Sequence, residues 1–236
     1  MKKTALVVGA TGLIGKALVA ELLVQPSVTK VITLTRRTLL IDTLNVDPKL
    51  KIDPSRWHNQ IVDFTQLDLH KHLFDQVDVV FSCLGTTKKA AGSIQKQRTV
   101  DVDYQYAVAS IARRAGVKEY FLVSSTGAAA NSGSAYLKMK GELEDQVTAL
   151  DFQRCVIVRP SLLLGEREQK RAGEFFAGKL IPLLSYVPLL RKYRPIHGSE
   201  VAKKMAHLAA SGATKQNQCQ DKGLVEIYEL DQVFNQ

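Results

Sequence analysis

Thr4-Ala5-Leu6-Val7-Val8-Gly9-Ala10-Thr11-Gly12-Leu13-Ile14-Gly15-Lys16-Ala17-Leu18 is the stretch on which the fold turns. Thr4 to Val8 is a short apolar run, interrupted by glycines and Thr11 too soon for a signal peptide or a membrane span, so it reads as a buried strand. From Leu13 to about Val24 apolar residues recur at helical spacing, and Pro26 stops that helix. Between strand and helix stand Gly9, Gly12 and Gly15, each wanted for a different reason. Gly9 permits a tight turn, Gly12 lets the backbone approach a pyrophosphate, and Gly15 lets the helix pack close to the strand. The helix N-terminus then offers unpaired N–H groups and a partial positive charge to an anion.

Outward from this unit, strands and helices alternate. Val31 to Thr35 is a second strand, and Leu39 to Asn59, with Pro48 and Pro54, a long connection. Gln60 to Phe64 reads as the third strand and Val77 to Cys83 as the fourth; a long helix then runs from about Gln95 to Ala115, closed by Gly116. Val117 to Ser124 is the fifth strand, Ser134 to Leu150 a helix, and Arg154 to Val158 a sixth strand stopped by Arg159-Pro160. Such alternation implies parallel strands, right-handed crossovers and helices on both faces: an α/β fold with a doubly wound, mostly parallel sheet. Beyond Pro160 come a polar stretch (Glu166–Gly173), a Pro-interrupted apolar segment (Leu180–Leu190), a helix near Ser199–Ala210 and a last strand around Leu224–Tyr228. Residues 1–236 are expected to form one domain, with 161–236 a small substrate lobe over the C-terminal ends of the strands.

Composition narrows the classes. With 45% hydrophobic and 23% charged residues, the 236-residue chain is neither disordered nor fibrous. Cys83, Cys155 and Cys219 are odd in number, far apart and without a C-x-x-C pair, which excludes a disulfide scaffold and a zinc ribbon and points to a reducing cytoplasm. His58, His70, His72 and His207 show no metal-ligand grouping, so no metal is expected. The net charge of +9 is spread along the chain without a polybasic tail. It reads as a solvated basic surface suited to a phosphorylated cofactor, with no nucleic-acid site, no membrane span, and a monomer or homodimer as the state.

Two further groups carry chemistry. The second strand ends Thr33-Leu34-Thr35-Arg36-Arg37, with no carboxylate where a dinucleotide site that selects NAD places one on the ribose 2′-OH. Two guanidiniums stand there instead, and their donor forks suit a 2′-phosphate, so NADP(H) is expected in preference to NAD(H). Tyr136 and Lys140, at i and i+4, share one helix face, where an ammonium would lower the phenol pKa for proton exchange with a substrate oxygen. Ser125, at the end of the fifth strand, would orient that oxygen at the ligand-binding edge of the sheet.

Taken together, Gly9-x-x-Gly12-x-x-Gly15, Val62-Asp63-Phe64, Cys83-Leu84-Gly85, Ser125, Tyr136-x-x-x-Lys140 and Arg159-Pro160 resemble the short-chain dehydrogenase/reductase superfamily. The likeness is to its extended and atypical, epimerase/dehydratase-like branches, and is greatest to the Tat-interacting-protein-like members. The runs Phe81–Thr87 and Phe121–Pro160, the polar segment Leu164–Gly173 and Phe175-Phe176 carry it, over about residues 4–210. The resemblance implies a Rossmann fold in which Gly9, Thr11, Gly12, Leu13, Ile14 and Gly15 hold pyrophosphate and Arg36 and Arg37 the 2′-phosphate. Asp63 and Phe64 would meet adenine, Leu84, Gly85 and Thr86 the adjacent ribose, and Pro160 the nicotinamide ring. Tyr136 and Lys140 would touch the nicotinamide ribose and, with Ser125, be catalytic. One departure stands out: Asp101 falls where many extended members place an Asn that holds a relay water. Three readings follow. The first is an NADP(H)-dependent oxidoreductase acting on a small carbonyl or alcohol, the second a non-catalytic NADP(H) sensor with a protein partner, and the third a sugar-nucleotide epimerase or dehydratase, disfavoured by the short segment after Pro160.

Other residues have plainer readings. His197 reads as a loop residue before a helix N-capped by Ser199, with a substrate contact as the alternative. Arg191-Lys192-Tyr193-Arg194 reads as a solvated loop, or a patch for an acidic substrate or partner. Trp57 reads as packing or as a cap on an adenine pocket, and Cys83 as a small inert hydrophobe.

Overall fold

The computed structural model describes residues 2–44, 52–161, 163–164, 196–212 and 223–229. The stretches Glu166–Gly173 and Leu180–Leu190, Phe175-Phe176, Arg191–Arg194 and Cys219 lie outside the described residues, and with them most of the expected substrate lobe.

Seven parallel strands form the central sheet: β1 (Lys3–Val8), β2 (Val28–Thr35), β3 (Trp57–Ile61), β4 (Val79–Ser82), β5 (Glu119–Val123), β6 (Arg154–Arg159) and, after a two-residue pair β7 (Leu163–Leu164) and β8 (Ile196–His197), β9 (Leu224–Glu229). The order across the sheet is β3-β2-β1-β4-β5-β6-β9. The winding reverses between β1 and β4, so their C-terminal ends splay apart and leave the crevice where open α/β sheets take ligands.

The period-2 alternation of the strands divides the core into two layers. Ala5, Val7, Phe121, Val123, Val156 and Val158 face α1 (Leu13–Val24) and α6 (Gly198–Ser211), which bury Leu18, Leu22, Val201 and Met205 against them. Leu6, Val8, Tyr120, Leu122, Cys155 and Ile157 face α4 (Tyr104–Arg114) and α5 (Ala135–Thr148), through Val108, Ala112, Leu143 and Val147. The doubly wound sheet expected from the alternation is therefore present, with both faces covered.

Several boundaries differ from expectation, each for a local reason. The third strand lies at Trp57–Ile61, earlier than expected, because Asp63 N-caps a 3-10 stretch (Phe64–Phe74) and turns the chain out of the sheet. Its carboxylate accepts from the Thr65 amide at 2.8 Å and the Thr65 hydroxyl at 2.7 Å. The single helix expected from Gln95 to Ala115 is α3 (Ile94–Arg98), a π turn (Thr99–Asp103) and α4. A four-residue helix, α2 (Lys88–Ala91), precedes them, capped by the Thr87 hydroxyl and ended by Gly92 at φ +87°. The N-cap of α6 is His197, not Ser199: the His197 amide donates to Glu200 Oε2 at 2.9 Å in a capping box. Trp57 packs in β3 and donates its indole N–H to Thr33 Oγ1 at 3.1 Å.

Candidate functional site

The three glycines of the first turn have separable causes. Gly9 has φ +78°, and a Cβ there would stand 2.4 Å from the Cys83 carbonyl at the end of β4. A Cβ on Gly15 would stand 2.2 Å from the Gly9 carbonyl oxygen. The fold itself therefore demands both. Gly12 is different: φ −82° and ψ 173° suit any residue, and its added Cβ would meet Gly9 O at 3.2 Å, a contact that a small shift relieves. What Gly12 keeps clear is the outer side of the turn. There the N-terminus of α1 has no side-chain cap and no acid in its first turn, so its leading N–H groups point outward unpaired by side chains. Thr11, Gly12 and Leu13 are exposed at this end, and Ile14 and Gly15 are buried behind them.

This end opens into a cleft of about 390 Å³. Gly9 to Gly12 form its floor, Leu34, Thr35 and Arg36 one side, and Cys83, Leu84, Gly85 and Thr86 the other. Phe64 lines it as well, tilted against Tyr104 with ring centroids 5.6 Å apart. Asp63 does not line it, since its carboxylate turns back onto Thr65 and is held below the usual range by those hydrogen bonds. Arg36 and Arg37 are exposed and form no ion pair among the described residues; Arg36 reaches the cleft wall, while Arg37 gives its carbonyl to the Thr35 hydroxyl at 2.7 Å. A far wall from α2, α3 and the π turn completes the cleft with Ala90, Ala91, Lys96, Thr99 and Val100. Sequence reading missed this wall. Its signals were Thr87 and Ser93, two N-caps at the starts of short helices.

The second group lies beside the cleft. Ser124 and Thr126 are tied to the end of β6, the Ser124 amide donating to Val158 O at 2.8 Å and the Thr126 amide to Pro160 O at 3.0 Å. Pro160 is thereby buried next to the Ser125 loop. Helix α5, which carries Tyr136 and Lys140, is pressed against that loop: a Cβ on Gly141 would stand 2.2 Å from the Ala129 carbonyl carbon. Arg159 grips the same helix through Glu144, Nε to Oε1 at 3.0 Å. These contacts bring Ser125 and Tyr136 into each other's neighbourhood, with Tyr136 39% exposed.

Lys140 lies one turn deeper and is 3% exposed. Its ammonium donates to Val123 O at 3.4 Å and stands 3.9 Å from Oδ1 of Asp101, which is fully buried in the π turn. The same Oδ1 accepts the Thr86 amide at 3.1 Å, so one carboxylate joins the cleft wall to α5. Asp101 Oδ2 and the Ser124 hydroxyl are buried without a partner among the described residues. Burial raises the Asp101 pKa against the pull of Lys140, and burial lowers the Lys140 pKa against the pull of Asp101. Tyr136 is raised above its ordinary value by desolvation and then by the Asp101 charge, while the Ser125 bond opposes both. This runs against the expected lowering of Tyr136 by Lys140, whose ammonium stands beside the Asp101 carboxylate of another helix. Cys83 is pushed up to about 12 by burial and is inert as expected.

The residues present fit a dinucleotide. Gly12 leaves room that the fold does not need, the α1 N-terminus is uncapped, and the two charged residues that line the cleft among the described residues, Arg36 and Lys96, are both cations.

Comparison with known proteins agrees with this geometry. The family model described as "NAD dependent epimerase/dehydratase family" matches residues 5–187. A protein of Eremothecium gossypii named "Protein FMP52, mitochondrial" is 35% identical over 236 residues, covering 98% of this chain and 96% of its own. "Protein HTATIP2" of Rattus norvegicus is 38% identical over 180 residues, 75% of this chain and 69% of its own, in line with the Tat-interacting-protein resemblance. Among solved structures, a putative NAD-dependent epimerase/dehydratase from Bacillus halodurans superposes with a TM-score of 0.60 at 22% identity, covering 94% of this chain and 92% of its own. The mitochondrial name of the first relative overturns the expected cytoplasmic location. Scattered thiols mark a reducing interior, and that does not choose between the cytosol and the inside of an organelle. Among the described residues no helix is long and apolar enough to cross a membrane.

Proposed function

The chain belongs to the NAD dependent epimerase/dehydratase family, and from that premise we propose that it is an NADP(H)-dependent oxidoreductase of the atypical short-chain type, acting on a small carbonyl or alcohol in the mitochondrion. The observation that carries the cofactor reading is the uncapped α1 N-terminus opening into a cleft whose charged lining is cationic. Thr11, Leu13 and the glycines hold the pyrophosphate there. Arg36 and Arg37, standing where NAD-selective sites carry an acid, hold the 2′-phosphate. Phe64 packs on adenine, Leu84 to Thr86 meet the ribose, and Pro160 flanks the nicotinamide. When bound, the cofactor supplies or accepts hydride at the nicotinamide ring.

The protein's own part is proton handling and orientation. Ser125 donates to the substrate oxygen, and Tyr136, beside Ser125, exchanges the proton at that oxygen. Lys140 binds the nicotinamide ribose and balances Asp101 beneath Tyr136. The test is NADPH and NADH titration by fluorescence, followed by NADPH oxidation over an aldehyde, ketone and quinone panel. Equal affinity for the two nucleotides would remove the NADP preference.

A second reading, a non-catalytic NADP(H) sensor, is favoured by two observations: Lys140 stands beside Asp101, and Tyr136 lies above its ordinary pKa. It predicts cofactor binding without turnover on any member of the panel.

A further inference from the structure

Among the residues that line the cleft, Arg36 has a role implied by its place after β2, whereas Lys96 has none. Lys96 is held in place by the chain on both sides of it. Its amide donates to Ser93 Oγ at 3.1 Å, and the neighbouring Gln97, 5% exposed, donates its side-chain amide to Thr86 O at 3.2 Å. The backbone of α3 is thus pinned to the β4 end of the cleft while the Lys96 side chain stays exposed on the cleft wall. Nearby cations are placed differently. Arg98 pairs with Glu142 at 2.5 Å, and Lys88 and Lys89 do not line the cleft. Among the described residues Lys96 forms no ion pair, and no Asp or Glu lines the cleft. A primary ammonium on the wall of a cleft that also holds an uncapped helix N-terminus, with no acid among the described lining residues, is arranged to meet an anion from the other side.

We propose that Lys96 is a phosphate-binding residue of the cofactor site, closing on the dinucleotide from the wall opposite α1. The inference rests on the dinucleotide reading above. The experiment titrates wild type, Lys96→Ala and Lys96→Arg with NADPH and with NADH, following cofactor fluorescence at low and at high salt, with thermal melting to confirm folding. Lys96→Ala is expected to weaken NADPH binding about ten-fold or more and to flatten its salt dependence, while Lys96→Arg keeps most of the affinity. Loss on both nucleotides assigns Lys96 to the pyrophosphate, and loss on NADPH alone assigns it to the 2′-phosphate; either supports the proposal. Unchanged affinities in Lys96→Ala, or equal losses in the Ala and Arg variants, overturn it. Wild type that binds neither nucleotide overturns the dinucleotide reading itself, a result distinct from failure of Lys96 alone.

Discussion

The two ends of the site are built on opposite principles. At the glycine turn the protein leaves groups unpaired: an α1 N-terminus without a cap, a Gly12 that the fold barely requires, and exposed arginines after β2. At the Tyr136 end it pairs its charges in advance, with Lys140 against Asp101, Asp101 against the Thr86 amide, and Arg159 against Glu144. The exposed end keeps its donors hydrated until a ligand displaces the water, so it can bind without prior rearrangement. The buried end gains rigidity but couples its charges, so no single residue there titrates on its own. Affinity is therefore expected to answer to the first region, and rate and pH dependence to the second.

Tyr136→Phe tests that division most severely. It deletes one oxygen from the paired region and is expected to cut turnover by a factor on the order of 10²–10⁴ while cofactor affinity falls only modestly. A variant that turns over as fast as wild type, in steady-state assays on any substrate found, would end the proton-transfer role. Next in size is a contrast within the open region. Gly12→Val should cost about a hundred-fold in NADPH affinity with an unchanged circular dichroism spectrum. Gly15→Val, whose side chain would run into Gly9 backbone, should instead lower the melting temperature or abolish folding. If both variants melt alike, Gly12 is as structural as Gly15.

A smaller effect is expected from replacing Arg36 and Arg37 together by Ala. A charge-assisted phosphate contact contributes roughly 1.5–3 kcal/mol, so an NADPH-over-NADH preference of about ten-fold should vanish, with NADH affinity kept. Persistence of the preference in competitive titration would place the 2′-phosphate elsewhere. Smallest is Asp101→Asn. The Asp101 charge holds the Tyr136 pKa up, so its removal should move the phenol inflection in the pH–rate profile to lower pH. Lys140 loses the partner that opposes its own lowering, so its titration should move down as well. An unmoved profile would mean that neither group controls the rate.

The open region was legible in the sequence because its determinants are local. Glycine spacing, an apolar run on each side and the absence of an acid after β2 all lie within a few dozen residues. The alternation of strands and helices fixed the layers for the same reason, since burial follows the period of each segment. The register of β3 was missed because Asp63 ends the strand through a side-chain bond that apolar patterning does not report. The π turn was missed because Val102 and Asp101 are both buried there, and one inserted residue leaves the helical pattern on either side intact. The Tyr136–Lys140 spacing showed that both share a helix face, but not which carboxylate from another helix would stand opposite. Asp101 was singled out only through resemblance. Its meeting with Lys140 depends on two elements far apart in sequence.

The place of β9 at the sheet edge bears on how the molecule is made. β6 carries Arg154 and Arg159, and both take carboxylates from β9: Arg154 bonds Glu226 at 2.6 Å, and Arg159 bonds Glu229. Arg154 is 3% exposed in the finished fold. As the chain leaves the ribosome, the β1–α1–β2 unit can close early on contacts near in sequence, and Glu119 and Glu144 are already made when β6 emerges, but the β9 carboxylates follow roughly seventy positions later. Until then one sheet edge stays open and carries two cations that are only partly matched. Such charge keeps an unfinished edge from pairing with another nascent chain. The arginines that lock the completed sheet are thus also the charges that its unfinished edge would carry.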